Sequence, residues 1–166
     1  MRTLALALAA AASTLTAAAV LLPPAPASAR QASIPAPAQS ALEREVAGNT
    51  ARFAAALATG DPDRVTALFA PNAILAPTVS NEVRTTPGRI RAYFVEFLQL
   101  SPRPRVDSRT ITVLDPGTAI EGGTWTFQLT RDGTTSEVQA RYTIVWEKTG
   151  AGWQIQLLHS SLMPEG

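Results

Sequence analysis

The sequence predicts an α+β domain in which three N-terminal helices are wrapped by a curved, mainly antiparallel sheet. Three observations carry that prediction. Apolar residues recur at helical spacing over 42–57, 65–69 and 90–98. From Arg105 onward the pattern changes to long strand-like runs separated by turn signals. Helices gathered in the first half and strands in the second make the α+β arrangement, in which one sheet covers the helices.

The chain opens on Met1-Arg2-Thr3, followed by an uncharged run from Leu4 to Leu22 that Pro23-Pro24 interrupts. Ala27-Ser28-Ala29 supplies the small-x-small pattern a signal peptidase needs, so 1–29 reads as a signal peptide removed before Arg30. The product is then secreted or periplasmic, with no membrane attachment after cleavage. The competing reading is a retained anchor, since the apolar run is nearly long enough to span a bilayer. Residues 30–39, rich in proline and alanine, read as a disordered linker, and 40–166 as the domain.

Ser40-x-x-Glu43 has the capping-box pattern, and it places the start of the first helix at Ser40. Leu42, Val46, Phe53 and Leu57 share one face of that helix, and Gly60 stops it. Asp61-Pro62-Asp63 starts a second helix, with Asp61 as cap, Pro62 in the first turn and Val65, Leu68 and Phe69 as its apolar stripe. Pro71 ends it. Ala73–Ala76 and Val83–Thr85 read as short strands around a polar turn at 78–81. Thr86-Pro87 opens a third helix whose apolar face is Ile90, Tyr93, Phe94, Phe97 and Leu98, closed by Pro102 and Pro104. Strands follow at 105–114, 118–130, 135–147 and 153–160. Asp115-Pro116-Gly117, the hairpin signal Asp132-Gly133, and a loop with Gly150 and Gly152 separate them.

Composition narrows the chemistry. The chain has no cysteine, so an exported form is held by packing alone, with neither disulfide nor thiolate. It carries 14 Lys and Arg against 13 Asp and Glu, and loss of Arg2 leaves 13 against 13. No net field then attracts nucleic acid. A single histidine is a poor basis for a metal site. There is no nucleophile elbow, no phosphate-binding glycine loop and no dinucleotide fingerprint, so no cofactor is expected.

Several segments carry a family resemblance. They are Gly60-Asp61, Ala73-Ile74-Leu75-Ala76-Pro77, Ser80-Asn81-Glu82-Val83-Arg84 and Ile90-Arg91-Ala92-Tyr93-Phe94, then Ala140-Arg141-Tyr142-Thr143-Ile144-Val145-Trp146, Gly152-Trp153-Gln154-Ile155 and His159-Ser160-Ser161-Leu162-Met163-Pro164. Over about Leu42 to Pro164 the chain resembles the nuclear transport factor 2-like superfamily. Within it, the chain is similar to the calcium/calmodulin-dependent protein kinase II association-domain branch and the related SnoaL-like and SgcJ/EcaC proteins. The resemblance implies a cone-shaped domain with an internal pocket and a sheet whose outer face pairs with a second copy. It also implies that Ile144 and Ser160 stand where the kinase hub has pocket arginines. The fold hosts enzymes and assembly hubs alike, so it does not fix an activity.

Against that frame two functions compete. In one, the exported domain homo-oligomerises and holds a small organic ligand in its cone. In the other, a SnoaL-like isomerase or cyclase performs acid–base chemistry on a carbonyl compound. Catalytic candidates are His159, able to act as a base near neutral pH, and Glu121 beside Gly122-Gly123; Glu96 falls off the apolar stripe of its helix. Ligand-binding candidates are Arg141, His159, Arg84, Trp125 and Tyr93. Arg141 reads as a clamp for an anion, as the partner of Glu137, Glu121 or Glu147, or as a residue simply exposed on the outer face. Strand alternation puts His159 in phase with Trp153, Ile155 and Leu157, and Arg141 in phase with Thr143 and Val145. With their strands adjacent, the two residues come to one end of the sheet. A face that includes Val106, Thr110 and Thr112 is expected to form the dimer contact.

Overall fold

The structure, a computed structural model, describes Ile34 and residues 36–164. The expected signal peptide, and residues 30–33 of the expected linker, lie outside the described residues. Helix α1 spans Ala36–Ala58. It therefore begins four residues before Ser40, which lies exposed inside the helix and caps nothing. Residues 36–39, expected as linker, form its first turn. A proline there costs little, because the first N–H groups of a helix have no intrahelical partner. Val46, Phe53 and Leu57 are buried along one face. Gly60, at φ 71°, takes the left-handed conformation that closes the helix.

Helix α2 is only Pro62–Thr66, capped by the Asp61 carboxylate, which accepts from the N–H groups of Asp63 and Arg64. Phe69, read as part of the helix's apolar stripe, therefore lies outside it, with Pro71, in strand β1, Phe69–Ala76. The chain leaves the helix early because Ile155 donates its N–H to Leu68 O, at 2.8 Å, which begins a strand pairing. Proline is tolerated in β1 because the strand is at the sheet edge. Residues 83–85 form no separate strand; Arg84 makes one antiparallel bridge to Leu75. Helix α3, Pro87–Phe97, is capped by Thr86 as expected and runs into a 3-10 turn at Leu98–Leu100.

Four long strands follow: β2 Arg103–Asp115, β3 Thr118–Arg131, β4 Thr134–Thr149 and β5 Gly152–Leu162. Pro104 sits inside β2, which is the other edge strand. The sheet order is β1-β5-β4-β3-β2, antiparallel except for the β1–β5 pair. Asp132 and Gly133, at φ 50° and 78°, make the tight turn between β3 and β4. α1 and α3 pack on the inner face through a ring cluster in which Phe53 stacks on Trp125 and meets Phe69 and Phe94 edge-on. Helices on one face of a curved, mainly antiparallel sheet make the cone-shaped α+β arrangement that the sequence predicts.

Two bulges decide which side chains face the cone. On β2 the register slips between Val106 and Ser108, so Val106 faces inward while Thr110 and Thr112, opposite Gly122 and Ile120, face out. Gly123 permits that bulge. A Cβ on it would lie 2.0 Å from the Ser108 carbonyl oxygen. On β5 the register slips at Gln156, since Trp146 pairs with Ile155 and Val145 with Leu157. Beyond it the alternation is inverted, and Leu158 and Ser160 face the core.

Candidate functional site

A narrow cavity of about 30 Å³ lies between the helices and the inner face of the sheet. Phe53 and Leu57 reach it from α1, Tyr93, Phe94 and Phe97 from α3, and Trp125 and Phe127 from β3. Val79, half exposed, and the partly buried Leu129 and Val138 form its rim. Three of its lining residues, Thr78, Trp125 and Ser160, share one polar contact. Ser160 Oγ accepts from Trp125 Nε1 at 3.2 Å and from the Thr78 hydroxyl. Among the described residues no Asp, Glu, Arg, Lys or His lines this space. Burial pushes the Tyr93 phenol well above its usual range, against the opposing pull of Arg84, so the ring stays neutral.

The sequence candidates divide among three places. Trp125 and Tyr93 line the cavity. Arg84 stands behind Tyr93, its guanidinium 4.9 Å from the ring centroid, and its side chain is only 12% exposed. It donates to Glu82 O at 2.7 Å and to Ser80 Oγ at 3.1 Å, and it pairs with the Glu82 carboxylate at 3.4 Å. Arg84 thus fastens the 80–84 turn onto α3 and does not reach the cavity.

Arg141 and His159 come to one end of the sheet, as strand adjacency predicts: Thr143 pairs with His159 and Arg141 with Ser161. Both are exposed on the outer face. The Gln156 bulge is the reason, because it takes His159 out of phase with Trp153 and Ile155 and puts Ser160 inward instead. Arg141 reaches Ser161 Oγ and Leu162 O, each at 3.4 Å. None of the expected carboxylates pairs with it among the described residues.

Glu121 is fully buried, yet away from the cavity. Arg109 Nε donates to its Oε1 at 2.8 Å and the Tyr142 hydroxyl at 2.9 Å; Trp146 Nε1 donates to Oε2 at 3.2 Å, as does the Thr50 hydroxyl. Each oxygen thus takes two donors, and the carboxylate ties α1, β2 and β4 to β3. Burial, then the adjoining carboxylate, raises the Tyr142 phenol. A carboxylate so occupied is a fold anchor and leaves no lone pair directed at a substrate. The acid–base reading is left without a base in the cavity.

The outer face carries a feature that the sequence pattern did not single out. Ile74, Leu157, Val145, Ile120 and Thr112 are successive cross-strand partners, forming one row across all five strands. Ile74 and Ile120 are 38% and 36% exposed. The next row, Ala76, His159, Thr143, Gly122 and Thr110, is small apart from the histidine. The bulges assemble these rows, so period-two reading alone could not find them.

The comparisons with known proteins agree with this architecture. The family model described as calcium/calmodulin dependent protein kinase II association domain matches residues 42–164. A Xanthomonas campestris protein assigned to that domain is 48% identical, with TM-score 0.73 over 74% of this chain and 89% of its own. A nuclear transport factor 2-like superfamily protein from Salmonella enterica is 20% identical, with TM-score 0.68 over 76% of this chain and 94% of its own. The kinase II hub homology domain of Chlamydomonas reinhardtii is 18% identical, with TM-score 0.61 over 74% of this chain and 99% of its own. The last two share the fold alone. No curated protein matches the chain. Matched by the family model across its folded part, the chain belongs to the calcium/calmodulin dependent protein kinase II association domain family.

Proposed function

We propose that this is an exported association domain, which pairs with a second copy through the outer face of its sheet and holds a small organic molecule in its cone. The observation that carries the first part is the apolar row Ile74, Leu157, Val145, Ile120, running unbroken across the strands and exposed at Ile74 and Ile120. The four long strands, about 4.8 Å apart and paired over at least ten residues each, present roughly 600 Å² of face. That is close to the ~800 Å² per partner of a standard stable interface. The family supports the reading, since a hub homology domain shares the fold.

Sedimentation velocity tests it. The expected result is a dimer or larger assembly at micromolar concentration, which Val145→Asp converts to a folded monomer. Val145 lies mid-row, so a charge there is buried only in the pair. A wild-type monomer at tens of micromolar, or a Val145→Asp protein as associated as the wild type, contradicts the proposal. Export is tested apart from this, by the N-terminus of the protein made in its own host. The ligand part stands on the cavity.

A further inference from the structure

The outer face of the sheet has a direction along its central strand. β4 is the middle strand of the five and pairs with β3 without a bulge, so Arg141, Thr143, Val145 and Glu147 follow one another on that face. Arg141 and Glu147 are both exposed, and neither pairs with an opposite charge among the described residues. Their rows differ in the same sense. Ser161, Thr124 and Ser108 extend the Arg141 row with hydroxyls, whereas Gln154, Thr118 and the carboxylate of Asp115 extend the Glu147 row. Six residues of strand hold the two charges about 20 Å apart, too far to meet within one chain.

Size alternates along the same strand. The row through Val145 is bulky at Ile74, Leu157 and Ile120, and the row through Thr143 is small at Ala76 and Gly122. A two-fold axis that lays one such sheet on another, nearly aligned, runs either along the strands or across them. An axis along β4 sets Arg141 on Arg141, Glu147 on Glu147, and the bulky row on itself. An axis across the strands, between the two rows, reverses the copy. Arg141 then lies over the partner's Glu147 at both ends of β4, Ile120 over the partner's Gly122 and Ile74 over the partner's Ala76. Aligned sheets cross at about 30°, which displaces charges ~10 Å from the axis by roughly 5 Å, within the reach of an arginine side chain. Like charges face to face disfavour the first arrangement. Bulky side chains set against small ones reach the close packing of the second. Charge and size select the same axis independently.

Resting on the reading that two copies pair through this face, we infer that they do so with β4 antiparallel over β4, each Arg141 forming an ion pair with the partner's Glu147. The partner that fits the face is thus a second copy in one orientation, latched at two symmetric points.

Sedimentation velocity over a dilution series of the full-length protein, with circular dichroism to check folding, tests the crossing. Arg141→Glu and Glu147→Arg should each weaken dimerisation roughly tenfold or more, because both contacts in the dimer turn from attraction to repulsion. Carrying both exchanges in one chain should restore the wild-type dissociation constant. Mixing the two single variants in equal amounts should also restore dimers, since the mixed pair is complementary at both ends. These differences should shrink in about 1 M salt, where screening acts within ~3 Å. Single variants that pair as tightly as the wild type overturn the crossing and leave the pairing itself standing, as that is the behaviour of an axis along the strands. A double exchange no better than either single variant overturns it as well. A wild-type monomer at tens of micromolar overturns both the crossing and the pairing on which it rests.

Discussion

Replacing Glu121 with glutamine is the sharpest test of the claim that this residue anchors the fold. The substitution preserves shape and changes one oxygen into an NH2 group. Two of the four donors around Glu121 are hydroxyls, Thr50 and Tyr142, which can turn. The other two are the Trp146 indole and Arg109 Nε, which cannot. They sit on different oxygens. Whichever way the amide is placed, its NH2 meets one fixed donor, so no flip restores the network. The guanidinium also loses its only carboxylate partner among the described residues. Breaking a buried charged network from one side costs about 3–5 kcal/mol, a loss of ~10–15 °C in Tm for a domain of this length. Thermal and urea unfolding, followed by circular dichroism, measure it. Stability retained to within ~1 kcal/mol refutes the anchor role. So does loss of ligand binding in a fully stable Glu121→Gln protein, which returns Glu121 to the functional residues.

Other outcomes follow from the same geometry. Gly123→Ala should cost about 3 kcal/mol, because the new methyl meets the Ser108 backbone at 2.0 Å, whereas Gly122→Ala, with its nearest atom at 3.7 Å, should cost much less in the same unfolding assay. Asp107, the β2 bulge residue, has its carboxyl held below the usual range by the Thr126 hydroxyl and then by Arg105. Its contribution to stability is therefore present above the unfolded value near ~3.9 and disappears as the pH falls through the lower folded value. Asp107→Asn should remove that portion of the acid-unfolding curve. N-terminal sequencing of protein from the native host should begin at Arg30; an intact Met1 contradicts export by cleavage.

What the sequence made legible was local. Asp61-Pro62 and Thr86-Pro87 each place a side-chain acceptor one residue before a proline, and both cap helices in the structure. Asp132-Gly133 supplies the two positive φ angles its hairpin requires, and the turn is there. What stayed hidden depends on partner strands. The bulges at Asp107 and Gln156 carry no distinctive residue of their own, although Gly123, across from the first, was a usable hint. One inserted residue moves every following side chain to the other face. His159 was therefore read in phase with Trp153 and Ile155 but lies outside, and Ser160, which only the family resemblance placed at a pocket position, lies at the cavity. Val106 was likewise grouped with Thr110 and Thr112 and faces the opposite way. Glu121 was noticed for its place mid-strand, but its saturation by four donors from three other elements is a tertiary fact. The helix start at Ala36 escaped because a proline-rich stretch reads as linker unless its prolines fall in a first turn.

Pairing of two copies through the outer sheet face can be measured directly, because the chain lacks cysteine. Thr143→Cys places one thiol in the middle of the second outer row, between His159 and Gly122. Arg44→Cys places one on an exposed position of α1 as the control. Treatment with a short bis-maleimide, read by denaturing electrophoresis, should yield a covalent dimer from Thr143→Cys at micromolar concentration and monomer from Arg44→Cys. Dimer from the helix position and none from the sheet position would contradict the account.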